Sequence, residues 1–232
     1  MKKYLKYILI VLIAFVAFFA FYASDSNSSK NTYTPEVKKI IKEEENVVQK
    51  LRQEYKNDDI IGTISITDTD INEVIVQASD NKYYLTHDLY KNYDKYGSVF
   101  LDHRNNKESK KILIYGHNDY KDKTPFSELE NYMHEDYYQK HQFIDLLFDD
   151  TKIKYQIFSI YVETSDFTYM NLNIDTNQFQ NDLLKYKNNS FYKNDVVVSA
   201  TDDILILQTC SNDPKYKKYS HKYLLIIAKK IK

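Results

Sequence analysis

Apolar residues change their spacing twice along this chain, and each change marks a new kind of element. From Tyr7 to Ala23 the sequence reads YILIVLIAFVAFFAFYA, 17 residues with no charge and no polar face. That is the short end of the roughly 17–25 residues that cross a bilayer's hydrocarbon core. Lys2, Lys3 and Lys6 precede the run, and Asp25 with a Ser/Asn stretch follows it. The positive-inside bias therefore predicts a cytoplasmic N-terminus and an extracellular remainder. Cleavage as a signal peptide, the competing reading, puts Phe21 or Phe18 where a small residue is wanted. Residues 1–23 are thus expected to be a single-pass anchor in the cell membrane, with residues 24–34 a polar tether. Thr34-Pro35-Glu36 supplies a helix cap, an N1 proline and a first-turn acid. Val37, Ile40, Ile41, Val48, Leu51 and Tyr55 follow at helical spacing, predicting an amphipathic helix over Pro35–Tyr55. It opens a domain spanning residues 35–232, with the helix taking 35–56.

From Ile60 the period shortens to two. Ile64/Ile66 and Val74/Val76 alternate with polar residues around a turn at Asp68–Asp70, and Val99–Leu101 and Ile112–Tyr115 are short apolar runs. Phe126–Tyr132 and Glu135–His141 read as short helices. Ile144–Phe148 and Lys152–Val162 read as long strands around Asp149–Asp150. Asp175 or Thr176 should cap a helix to about Lys187, with Phe179, Leu183, Leu184 and Tyr186 as its apolar face. Val196–Ser199, Ile204–Thr209 and Tyr223–Lys229 complete six to eight strands. A mainly β barrel or sandwich with peripheral helices follows.

Composition narrows the chemistry. The 232 residues include one Cys, three Gly and no Trp, which excludes an internal disulfide framework and a multi-Cys zinc site. Neither a dinucleotide fingerprint nor a P-loop occurs. Setting aside Lys2, Lys3, Lys6, Lys30 and Asp25, 28 basic residues face 32 acidic ones, no footprint for nucleic acid. His87, His103, His134, His141 and His221 are read as ordinary polar residues, and no metal or organic cofactor is expected.

Two strand ends carry candidate chemistry. Ile114-Tyr115-Gly116-His117-Asn118 ends an apolar run on Gly-His, and Ile204-Leu205-Ile206-Leu207-Gln208-Thr209-Cys210 ends one on the sole thiol. A strand terminus holds a side chain rigidly while the next loop exposes it, which suits a nucleophile and its base. Their separation of 93 residues is no objection, because such partners meet in space.

The ILQTC stretch resembles the TLxTC signature of sortases, with Ile206 replacing the first Thr, and IYGHN resembles their strand-end histidine motif. VIVQASDNKYYL (Val74–Leu85), GSVFLDHRN (Gly97–Asn105) and KDKTPFSELENY (Lys121–Tyr132) are similar to segments of class B sortases. The resemblance spans about Ile60–Lys229. It implies a closed barrel of about eight mixed strands and a cysteine transpeptidase, a peptidase and acyltransferase in one. Cys210 would attack the carbonyl after Thr in a surface protein's sorting motif. His117 would serve as general acid and base, and an amine of a peptidoglycan precursor or cross-bridge would accept the acyl group. Asn81, Leu85, Gln208 and Thr209 would bind the sorting peptide, with Leu85 equally readable as core. The Thr164–Tyr169 stretch would belong to a loop over the substrate. At ordinary pKa values of about 8.5 and 6.5, under ~1% of molecules would carry thiolate and imidazolium together, so slow turnover is expected unless the site shifts them.

One departure stands out. Sortases carry an Arg on the last strand beside the Cys; here the only arginines are Arg52 and Arg104, neither of which follows Cys210. Anchoring on Ala228-Lys229 places Tyr223 at that position, with Lys222 and His221 adjacent. Lys222 is the preferred replacement, although an ammonium lacks the two-pronged geometry of guanidinium. Arg104 in the DHRN stretch reads as structural. Two other functions compete. A papain-like peptidase would place its Cys ahead of the His and on a helix. A membrane-tethered binding protein could keep the fold with weak or no catalysis.

Overall fold

The computed structural model describes residues 47–231 apart from 120, 123 and 150. The apolar run Tyr7–Ala23, the tether and the first part of the amphipathic helix lie outside the described residues. Among the described residues, no helix is long and apolar enough to cross a membrane.

The elements are α1 (Val47–Tyr55), β1 (Ile60–Ile66), β2 (Asn72–Val76), β3 (Val99–Leu101), β4 (Lys111–Tyr115), α2 (Glu135–Lys140), β5 (Phe143–Phe148), β6 (Thr151–Glu163), α3 (Thr176–Asn189), β7 (Ile204–Cys210) and β8 (Tyr223–Lys230). The strands close into a barrel in the order β1-β2-β3-β4-β7-β8-β6-β5. The β2–β3 and β4–β7 pairs are parallel, and the other six are antiparallel.

Alternation along the strands sorts the apolar residues into two layers. Ile64, Ile75, Val99, Ile112, Leu146, Ile157, Leu205 and Leu224, one from each strand, belong to the set that fills the barrel, joined by Phe126, Leu129, Tyr132 and Tyr138. The opposite parity forms an outer layer: Val74 and Val76, Phe100, Leu113 and Tyr115, Ile204 and Ile206, Leu225 and Ile227. Val47, Val48, Leu51 and Tyr55 of α1 and Phe179, Leu183 and Tyr186 of α3 cover that layer. A register shift between Ile60 and Gly62 turns Ile60 outward although Ile64 points in.

The short helix expected over Phe126–Tyr132 is present, as a 3-10 helix over Ser127–Met133. Two local expectations change. Leu184 is 49% exposed and Asp182 is buried instead, so the covered face of α3 consists of Phe179, Asp182, Leu183 and Tyr186. Val196–Ser199 is irregular rather than a strand. In a closed barrel no edge is free to pair with it, and lysines take its carbonyls: Lys187 Nζ donates to Val196 O at 2.6 Å and Lys229 Nζ to Val197 O at 2.9 Å.

Candidate active site

β4 and β7 run parallel in register from Lys111/Ile204 to Tyr115/Gln208. The pairing continues past both strand ends, since Gly116 N donates to Gln208 O at 3.2 Å and Thr209 Oγ1 to Gly116 O at 2.8 Å. Asn118 Nδ2 then donates to Cys210 O at 2.8 Å, and Asn212 Nδ2 to Asn118 O at 3.1 Å. His117 and Cys210 therefore leave neighbouring strands at the same level, their backbones separated by roughly the ~4.8 Å strand spacing. Cys210 is solvent-exposed.

Gly116 is required by a close approach. A Cβ there would lie 2.6 Å from the Phe126 ring, which packs over the turn into His117. That turn is pinned by its own carbonyl, as His117 O accepts from Thr124 Oγ1 at 2.8 Å and from Phe126 N at 3.1 Å. The imidazole Nε2 lies 2.9 Å from Leu85 O. A carbonyl only accepts, so Nε2 carries the proton and Nδ1 remains available to take or give one. Leu85 itself is 38% exposed, which removes the core reading of that side chain.

Across β7, Cys210 faces Tyr223. Ser211 N donates to Lys222 O at 2.8 Å, making Ser211/Lys222 the hydrogen-bonded pair. Cys210/Tyr223 is thus the non-hydrogen-bonded pair, where facing side chains come closest. Phe167 packs edge-on against both His221 and Tyr223, with ring centroids 5.7 Å apart in each case. Lys222 turns its ammonium to Ser211 O at 2.7 Å. Although the residue is exposed, the protein packed around its sulfur strips water from part of it and pushes the Cys210 thiol above its ordinary range; Lys222 acts against that and Glu130 adds to it. Burial, followed by the nearby Cys210, likewise raises the Tyr223 phenol.

Glu130 is the site residue that sequence reasoning missed. Its carboxylate accepts from Asn118 Nδ2 at 2.6 Å, Ser211 Oγ at 3.0 Å, Asn212 N at 3.2 Å and Asp213 N at 3.1 Å. It clamps the loop that follows Cys210 to the loop that follows His117. No periodic signal marks it, because its partners lie 12 to 83 residues away.

The remaining candidates divide. Gln208 accepts from Tyr169 OH at 2.7 Å, joining β7 to the loop that contains the Thr164–Tyr169 stretch. Thr209 is 2% exposed with its hydroxyl on Gly116, so it stitches the strands from the inner side. Asn81 donates to Asp102 Oδ2 at 2.9 Å and accepts from His103 N at 2.8 Å. The fully buried Asp102 also receives Arg104 Nε and a second guanidinium nitrogen, at 2.8 and 2.7 Å, and Tyr115 OH at 2.8 Å. Burial alone would raise Asp102, but the bonds from Arg104, Tyr115 and Asn81 outweigh it and hold the carboxyl well below the usual range. Arg104 is therefore a structural clamp, away from the thiol.

A sortase-domain family model matches residues 64–230. Sortase B of Listeria monocytogenes is 35% identical over 193 residues, covering 82% of this chain and 76% of that protein. Sortase B of Staphylococcus aureus is 33% identical over 181 residues, covering 76% and 72%. The solved Staphylococcus aureus sortase B–substrate complex matches with a TM-score of 0.71 at 29% identity, covering 80% of this chain and 85% of that one. Similarity along most of the chain thus agrees with an eight-strand barrel that brings a histidine and a thiol to one rim, and this protein belongs to the sortase family of cysteine transpeptidases, on its class B branch.

Proposed function

We propose that this protein cleaves a sorting motif after Thr and transfers the acyl group to a cell-wall amine, with Cys210 as nucleophile and His117 as general acid and base. His117 Nδ1 takes the Cys210 thiol proton as Sγ attacks the Thr carbonyl carbon and delivers it to the leaving amine as the C–N bond breaks, so that a thioester remains. An amine of a peptidoglycan precursor or cross-bridge then attacks the thioester. His117 Nδ1 takes its proton, the C–S bond breaks, and the proton passes to the departing sulfur, which restores the thiol. The parallel pairing of β4 and β7, which sets the two strand ends side by side with the thiol exposed, carries this reading. The raised thiol keeps the resting nucleophile protonated, so activation falls on the approaching substrate and on His117.

Leu85 and Gln208 line the peptide's path, Asn81 shapes it through Asp102, and Thr209 holds the nucleophile strand from beneath. Lys222 supplies the positive charge that the family takes from Arg, and Tyr223 offers a phenol directly opposite the thiol. Residues 1–23 anchor the chain in the plasma membrane with the domain 35–232 outside, where surface proteins and wall amines are both at hand. The test is cleavage of a fluorogenic sorting-motif peptide with a triglycine acceptor present, followed by mass spectrometry of the products. A ligated product that Cys210→Ala abolishes and His117→Ala reduces at least ~10²-fold supports the assignment. Undiminished turnover in Cys210→Ala refutes it.

A further inference from the structure

At the end of β4 away from His117 sits a buried cation. Lys111 opens the strand, and its parity with Leu113 and Tyr115 turns it to the outer face, toward α3. It is 4% exposed, and its Nζ makes no hydrogen bond among the described residues. A buried ammonium is costly unless something satisfies it, so proteins pair such groups or leave them to a ligand. Asp182, 5% exposed, is the acid that acts on it, but Asp182 accepts from Gln178 Nε2 at 2.7 Å and forms no ion pair with Lys111. Burial pushes Lys111 down to about 8, with Asp182 opposing and Arg104 reinforcing.

Lys111 lines a cavity of about 270 Å³, together with Arg104, Lys110, Leu172, Ile174 and Phe179. The N-terminus of α3 also borders it through Asp175 and Thr176. Three cations therefore face one acid, and Asp175 is engaged in capping the helix by accepting from Gln178 N at 2.9 Å. Arg104 is partly neutralised by Asp102 behind it. Lys110 Nζ stands 5.4 Å from the centroid of the Phe179 ring, so charge and apolar wall adjoin. The volume falls just under the roughly 300–1,000 Å³ of drug-sized sites.

We infer that this cavity binds a small organic anion, an apolar body the size of one ring seated on Leu172, Ile174 and Phe179 with its single carboxylate or phosphate at Lys111 and the N-terminus of α3. The acid group would satisfy the ammonium and the positive end of the helix at once. The apolar walls would exclude water from that contact and strengthen it. The site is separate from the His117/Cys210 rim, which lies at the other end of β4 and β7.

Calorimetric titration of the full-length chain tests this with phenylphosphate, phenylacetate, inorganic phosphate and benzyl alcohol as probes. One or both ring-bearing anions should saturate a single site, with inorganic phosphate and benzyl alcohol each about tenfold weaker or more. Lys111→Met should weaken the anions by about tenfold or more while leaving peptide cleavage and the melting transition intact. Leu172→Trp, which fills the cavity and keeps the lysine, should block them as well. Absence of saturable binding of either anion up to roughly 10 mM, equal affinity for benzyl alcohol, or unchanged affinity in a folded Lys111→Met variant would each overturn the inference.

Discussion

Replacing Glu130 with Gln removes a negative charge from beside the candidate nucleophile while keeping the shape of the clamp. Asn118 Nδ2 bridges Glu130 Oε2 at 2.6 Å and Cys210 O at 2.8 Å. That places the carboxylate on the order of 8 Å from the sulfur, where at an effective dielectric of about 40–80 it acts on a thiolate by roughly 0.5–1 kcal/mol. Removing it lowers the thiol's pKa and gives roughly two- to sixfold more thiolate at neutral pH. Lower basicity takes back part of the gain in reactivity, so labelling by a methanethiosulfonate reagent should accelerate about two- to threefold. The loop pays separately, since an amide nitrogen replaces one of two acceptor oxygens facing Asn118, Ser211 and the backbone of Asn212 and Asp213; a stability loss of about 1–3 kcal/mol follows. The assay is the labelling rate from pH 5 to 10, run beside thermal melting. Lys222→Met is the matched opposite, because it removes the charge that favours the thiolate, and its rate profile should move to higher pH. Profiles that shift in the same direction, or a Glu130→Gln midpoint that rises, refute the electrostatic account of this rim.

Tyr223→Phe keeps the ring packed on Phe167 but removes the phenol opposite Cys210; if that hydroxyl stabilises the oxyanion, kcat for peptide cleavage falls about 10–10²-fold with the melting temperature unchanged. Asp102→Asn breaks the buried contacts to Arg104 and Tyr115 and should cost about 3–5 kcal/mol by denaturant titration. Because Asp102 is held below its ordinary value of about 3.9, its contribution is complete above that pH and is lost as pH falls through it toward the folded value; the variant's stability curve should therefore lack that acid limb. Gly116→Ala drives a methyl into the Phe126 ring and should destabilise by about 1–3 kcal/mol while displacing His117, measured as a lowered melting temperature together with a reduced kcat/KM.

Strands buried on both faces were the most legible elements. Val99–Leu101 and Ile204–Leu207 are short continuous apolar runs, as strands buried on both faces require, and the strands Val99–Leu101 and Ile204–Cys210 lie within one residue of the expected bounds. Val196–Ser199 carries the same local signal but has no strand to pair with, a property of barrel closure rather than of its own residues. Leu184 and Asp182 exchange places against expectation because a polar network with Gln178 makes burial of the acid tolerable. The two strand-end candidates were visible as interruptions of apolar runs by a lone His and a lone Cys. Glu130 and Lys111 were not, since each looks like any surface charge until distant segments converge on it.

Parallel pairing of β4 with β7 has a consequence for how the chain acquires its reactivity. No hairpin can join two parallel neighbours, so residues 93 positions apart are brought together only through a long crossover that includes β5, β6 and α3. Contacts of such high sequence separation form late and slowly. The juxtaposition of sulfur and imidazole is thus a property of the completed scaffold and of no local stretch of sequence.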